Sequence, residues 1–189
     1  DCLNYECILD GERYILSSST WYSIESNFAK QVESYVSGLP ISNLDVIDAY
    51  VGEKEGDYNE RLVNSSANYS LGDQRNIKCE FARTVIEPCD IFTADRKIVH
   101  VKPGRRSSTL SHLFSQARVS SEAFQRDKVF RKAFRRNLQK EGKVDYNLVP
   151  IEKFKSTEYE VVFAFIDTNS APLFKSFPFF SLVNLMHSC

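Results

Sequence analysis

Along the first forty residues the apolar positions change from a strand's spacing to a helix's. Tyr5-Glu6-Cys7-Ile8-Leu9 runs into Asp10-Gly11, a pair suited to a tight hairpin turn, and Arg13-Tyr14-Ile15-Leu16 returns. Trp21-Tyr22-Ser23-Ile24 reads as a further short strand. Over residues 26–37 Phe28, Val32 and Tyr35 or Val36 fall on one helical face, Ser26 or Asn27 can cap it, and Gly38-Leu39-Pro40 ends it. Residues 52–60 are polar and lead, from Asp57, into a second helix through Leu62 and Val63.

Beyond it, Tyr69-Ser70-Leu71 and Lys78-Cys79-Glu80-Phe81 are weak strand signals around Gly72-Asp73. Residues 84–92 read as one strand, Ala94-Asp95-Arg96 as a turn and residues 97–102 as the returning strand, ended by Pro103-Gly104. Ser107-Ser108-Thr109 caps a helix with Leu110, Leu113, Phe114 and Ala117 on its apolar face. Ser120 or Ser121 starts another, with Phe124, Phe130, Phe134 and Leu138 inward and Lys128, Arg131, Lys132, Arg135 and Arg136 outward. Residues 158–166 form the strongest strand pattern, and Phe177-Pro178-Phe179-Phe180 is another strand-sized apolar run. No apolar run approaches the ~20 residues that span a bilayer, so no membrane partner is expected. This order predicts an α/β chain of the α+β kind, a mixed central sheet flanked by helices. Residues 1–50 would be an N-terminal hairpin and helix packing on a core of residues 51–189, which carries a basic helical segment over 105–143.

Composition adds one sharp feature. The chain's 189 residues, 42% of them hydrophobic, suffice for one domain with a substantial core. Net charge is −1, but from Arg96 to Lys143 fourteen Lys and Arg stand against three acids, and the rest of the chain is correspondingly acidic. Such asymmetry points to a polyanionic partner, nucleic acid and by preference DNA, or else to a basic helix face balanced by an acidic neighbour. Five cysteines without a CxxC pair form neither a disulfide framework nor a zinc site. The sequence opens on Asp1 with no signal-peptide pattern, so we expect a cytoplasmic piece of a longer parent chain.

Candidate chemistry gathers around the hairpin of residues 84–102. His100 and Lys102, two apart on a strand, share a face, and the hairpin can set Asp90 beside them, with Glu60 on the preceding helix. An acid on one strand facing an x-Lys pair on the next, flanked by helices, resembles the core of the PD-(D/E)xK nuclease superfamily. The resemblance implies that Glu60 and Asp90 hold Mg²⁺ or Mn²⁺, that His100 serves as ligand or water-orienting group, and that Lys102 stabilises the transition state. His100 stands where the superfamily usually has Glu, Asp or Gln, and imidazole suits Mn²⁺ better than Mg²⁺. Arg105, Arg106, Arg118, Lys128, Arg131, Lys132, Arg135 and Arg136 would grip the phosphate backbone, and His112 and Gln116 are further candidates on the helix after the hairpin. No Walker loop, dinucleotide fingerprint or nucleophile elbow is present, and the aspartate of a phospholipase-D-type motif is missing after His100-x-Lys102.

A closer resemblance lies in Ile86-Glu87-Pro88-Cys89-Asp90-Ile91, Val99-His100-Val101-Lys102 and the run Ser107 to Gln116, with Tyr14-Ile15-Leu16, Trp21-Tyr22 and Tyr58-Asn59-Glu60. These look like the "sporadically distributed" family of uncharacterised bacterial proteins, over most of the chain, as the C-terminal half of a longer protein. A patchy distribution suits mobile-element or phage-defence genes. The expected function is metal-dependent hydrolysis of nucleic-acid phosphodiesters, as a DNA endonuclease domain. The alternatives are a non-catalytic nucleic-acid-binding module or a protein-interaction domain of the parent.

Overall fold

The computed structural model describes residues 5–17, 19–72, 76–79, 85–104, 107–166 and 176–189. Strands β1 (Tyr5–Leu9), β2 (Glu12–Ser17) and β3 (Thr20–Ile24) form an antiparallel meander. Asp10 and Gly11 both take positive φ, 50° and 82°, as a two-residue turn between right-twisted strands requires. Helix α1 (Ser26–Ser37) follows, burying Val32 and Val36, although the residue before it is Glu25 with no side-chain cap. α2 (Glu55–Asn64) starts two residues ahead of Asp57, so that Glu55 and Asp57 both lie in the first turn, where the helix dipole favours carboxylates.

The strand expected over 84–92 is split. Pro88 has no amide hydrogen to give a ladder. Ahead of it β6 (Val85–Ile86) pairs with β5 (Ile77–Lys78), and after it β7 (Ile91–Thr93) enters the main sheet beside β4 (Tyr69–Leu71) and β8 (Lys97–Pro103). α3 (Ser107–Arg126) runs through Ser120 and Ser121, the expected start of a second helix. Ser120 is buried and returns its hydroxyl to Ala117 O at 3.0 Å, a bond compatible with staying in the helix. The break comes instead at Asp127, whose carboxylate accepts the Phe130 N–H at 2.9 Å and caps α4 (Lys128–Glu141). Two short 3₁₀ turns (Tyr146–Leu148 and Ser156–Glu158) lead to β9 (Glu160–Ile166). The apolar run at 177–180 is not a strand. Pro178 precedes helix α5 (Phe179–Ser188), which buries Phe179, Leu182 and Leu185 at helical spacing.

The central sheet has the order β4-β7-β8-β9, with β4–β7 and β7–β8 antiparallel and β8–β9 parallel. From α2 onward this is a helix, three antiparallel strands, a helical crossover and a parallel strand. One sheet face, through Phe92 and Ile98, packs on Phe124, Phe130 and Phe134 of α3 and α4. Burying each phenylalanine contributes ~1.5–3 kcal/mol. The opposite face, through Ile91, Val99, Val101 and Val162, packs on Tyr58, Leu62 and Val63 of α2. A third cluster joins Phe114 of α3 to Phe163 and Phe165 of β9 and to α1, α5 and Ile15 of the hairpin. No described helix is long and apolar enough to cross a membrane. Cys7, Cys79, Cys89 and Cys189 are free thiols.

Candidate active site

Asp90 stands at the entrance to β7, where the ladder is irregular. Ile91 is in register with Val99, and the Asp90 N–H also bonds Val99 O at 2.9 Å. Two residues therefore oppose one, a β-bulge, and a bulge re-aims the side chain of its extra residue. The Asp90 carboxylate turns onto β8 and accepts the Val101 N–H at 2.7 Å. On its other side, the Asp90 carbonyl accepts the Gly72 N–H at 2.8 Å, just past β4. A Cβ on Gly72 would sit 2.5 Å from Cys89 O, so only glycine lets the two backbones approach this closely. Asp90 is 6% exposed, a carboxylate held by backbone at the end of the sheet.

Lys102 lies one residue beyond the N–H that Asp90 holds. Its Nζ is 2.8 Å from Glu55 Oε2 in the first turn of α2. The helix thus brings Glu55 to this end of the sheet. Glu60, the acid expected there, is exposed on the same helix, and five residues of helix turn it about 140° away from Glu55. A helix that starts earlier than its apolar pattern suggests is what hides Glu55 in the sequence.

His100 is elsewhere. It is 1% exposed on the sheet face covered by α3, with Nε2 3.4 Å from Ser120 Oγ and its ring 6.4 Å from that of Phe163. Burial alone pulls its pKa down to about 4, so the imidazole is neutral at pH 7. The Asp90 carboxylate bonds the Val101 N–H, the Lys102 ammonium pairs with Glu55, and the His100 ring lies against Ser120 and Phe163.

On α3, Gln116 donates from Nε2 to Glu87 Oε2 at 2.5 Å, which ties the helix to the segment ahead of Asp90. His112 and Arg118 are exposed on the same helix. Nothing in the spacing of Glu87 marks it in the sequence.

Part of the basic segment is spent on bonds within the molecule. Arg131, 3% exposed, gives its guanidinium to Phe124 O, Gln125 O and Ile151 O, and burial lowers its pKa from the usual value. Arg135 donates to Val149 O at 2.8 Å and Asn147 Oδ1 at 2.9 Å, over the Tyr146 ring. These two arginines fasten the crossover segment to α4 rather than forming an open cationic face. Lys128 pairs with Glu152, Arg96 with Glu158, Arg126 with Glu122, and Lys97 with Asp95. Lys132 and Arg136 are exposed, as is Arg118, and Arg105 and Arg106 lie outside the described residues.

Among the described residues no group of three or more His, Cys, Asp or Glu side chains is gathered as a metal cage. Residues 1–189 match the profile of a family of unknown function (DUF6119). Neither the curated proteins nor the solved structures give a match.

Proposed function

We infer the function of this chain, which belongs to that family of unknown function, from one end of the central sheet, where Asp90 holds the Val101 N–H and the next residue, Lys102, pairs with Glu55. The reading is metal-dependent hydrolysis of a nucleic-acid phosphodiester, with DNA as the substrate, as a domain of a longer bacterial defence or mobile-element protein. The observation that carries it is the run helix, three antiparallel strands of the central sheet, helical crossover and parallel strand, with a bulged aspartate just ahead of the second strand and a lysine one residue before the end of the third. This order supports the PD-(D/E)xK resemblance at Asp90 and Lys102, and does not support it at Glu60 and His100.

Mg²⁺ and Mn²⁺ take oxygen donors, and Mg²⁺ in particular is commonly held by one or two carboxylates together with waters and substrate phosphate. Asp90 and Glu55 fit that modest requirement, whereas His100, sealed in an apolar layer, does not. Bound there, the ion would lower the pKa of an attacking water and polarise the phosphate. The chain's own contribution is positional. The Val101 N–H fixes the Asp90 carboxylate in one orientation, and Glu55 holds the Lys102 ammonium at the strand end, where it can offset charge developing on the phosphate oxygens. Exposed Arg118, Lys132 and Arg136 supply backbone contacts.

A second reading, a non-catalytic binding module, is favoured by one observation, the burial of His100 in place of a ligating acid. Incubation of the chain with supercoiled plasmid and with short duplexes, in Mg²⁺ or Mn²⁺, separates the two. Cleavage that disappears with Asp90→Asn supports the first. Salt-sensitive binding without cleavage in either metal sinks it and leaves the second.

A further inference from the structure

We propose that the outer edge of β9 is a docking strand for an extended peptide of a partner protein, one whose apolar side chains alternate with lysine or arginine. This site is separate from the phosphodiester reading and stands or falls without it. β9 is the last strand of the order β4-β7-β8-β9. Its parallel ladder to β8 uses even-numbered residues: Glu160 gives its N–H to Arg96 O at 3.3 Å, and Ile166 O accepts the Gly104 N–H at 2.9 Å. In a parallel pair the N–H and C=O of one residue address the same neighbouring strand, and successive residues address opposite ones. The peptide groups of Val161, Phe163 and Phe165 therefore face the edge that no other described strand pairs with.

That edge borders a slot. A cavity of about 340 Å³ is lined by the five consecutive residues 162–166. Consecutive strand residues alternate between faces, so a cavity touching all five lies along the strand's edge. Its far wall is the stretch 41–49, which contains no strand and is held by α2 and β4. Tyr58 Oη donates to Ile47 O, Arg61 Nη2 to Asp48 O and Tyr69 Oη to Asp45 O. A second, mostly apolar cavity of about 270 Å³ continues along β9 towards Leu185. Ser42 lines both, and its buried Oγ has no hydrogen-bond partner among the described residues.

The occupant follows from the lining. Edges not meant for pairing are usually blunted by lysine, proline or a bulge, or covered by a helix or loop. After Glu160, β9 is Val-Val-Phe-Ala-Phe-Ile, with no lysine or proline, and the stretch 41–49 leaves a cavity against it. Apolar side chains lie on both sides of the edge, Val162 and Leu44 on one and Phe163 and Leu39 on the other, so an added strand finds a pocket for alternate side chains. The charged residues lining the two cavities are Asp48 and Glu160, both acidic; Glu160 lies 3.8 Å from Lys97 Nζ, and Asp48 favours a partner strand bearing cations.

The experiment uses the chain itself and a fluorescein-labelled Val-Lys-Val-Lys-Val-Lys-Val-Lys peptide, with the Val-Glu counterpart and a centrally proline-substituted version as controls. Saturable anisotropy is expected with the first peptide alone. On binding, the amides of Val161, Phe163 and Phe165 should gain protection from hydrogen exchange. Val161→Pro removes one outward N–H while leaving the β8 ladder intact, and should weaken binding about tenfold, the order of one main-chain hydrogen bond. Should that variant fail to fold, Ser42→Phe, which narrows the slot from its far wall, must give the same loss. Equal binding of the Val-Glu peptide, unchanged binding by the folded variant, or unchanged exchange at the three amides overturns the proposal. So does protection of those amides that rises with protein concentration alone and is matched by a dimer in sedimentation, which assigns the edge to a second copy of the chain.

Discussion

The Lys102 ammonium lies 2.8 Å from the Glu55 carboxylate, joining the end of β8 to the first turn of α2. Both side chains are roughly a quarter exposed, and an ion pair of that exposure adds at most ~1 kcal/mol to stability. If the pair served the fold, removing it would therefore change little. If Lys102 faces the phosphate, Lys102→Ala should slow single-turnover cleavage by ~10²–10³, the cost of removing one electrostatic interaction from a transition state. Cleavage rate and urea midpoint, measured on the same preparation, decide it. A shift in stability without a shift in rate counts against the site.

Asp90 should respond differently to two substitutions. In Asp90→Asn the amide oxygen can still accept the Val101 N–H, so the bulge persists while the charge goes. Cleavage should vanish with DNA binding and thermal stability nearly unchanged. In Asp90→Ala that N–H is left buried without its partner, at a cost of ~1–3 kcal/mol. Thermal melts of both variants beside a plasmid assay test the contrast. A full loss of cleavage confined to the less stable variant would make Asp90 a structural residue.

The elements built on periodicity were legible in the chain. The hairpin at Asp10-Gly11, α1, β8 and β9 follow from turn chemistry and apolar spacing, because local propensity and burial agree there. The site was less so, for three physical reasons. Pro88 broke a strand that its neighbours' side chains favour, and in the bulge after it the Asp90 carboxylate bonds the Val101 N–H. Glu55 sits in a first turn that Gly56 and the polar run disguise. The charges of Arg131 and Arg135 read as an exposed face, because sequence shows the spacing of cations but not the carbonyls of residues 147–151 that consume them.

That consumption makes the basic residues separable. Arg131→Ala would leave three carbonyls without their donor and a gap beside Phe154, so it should cost ~3 kcal/mol in a urea denaturation. Exposed Lys132 and Arg136 should instead carry binding. Lys132→Glu with Arg136→Glu should leave the midpoint nearly unmoved and flatten the dependence of log K on log salt by ~0.9 for each duplex phosphate that is no longer neutralised. Fluorescence titrations at several salt concentrations measure it. An unaltered slope would exclude α4 from the nucleic-acid surface.

His100 gives the last prediction, and its sign follows from burial. Its pKa falls from 6.5 to about 4 in the folded chain, because the layer between β8 and α3 excludes the charged imidazolium. Above pH 6.5 neither state binds the proton, and the histidine makes stability no more pH-dependent. As pH falls below 6.5 the unfolded chain takes up a proton that the folded one refuses, and stability drops until about pH 4, by ~3 kcal/mol in all. Acids titrate in the same window, so the comparison must be made against His100→Phe, which keeps an aromatic ring in the layer and cannot titrate. The difference in urea midpoint between the two proteins should change steadily from pH 6.5 to pH 4 in favour of the phenylalanine form, and be flat above it. His100→Glu, which would restore the commoner ligand if position 100 faced the metal, should here bury a carboxylate without a cation and destabilise the chain at pH 7 more than His100→Gln does. If His100→Glu instead folds normally and cuts faster in Mg²⁺, position 100 opens onto the site, and the assignment of His100 to the sealed layer under α3 is lost.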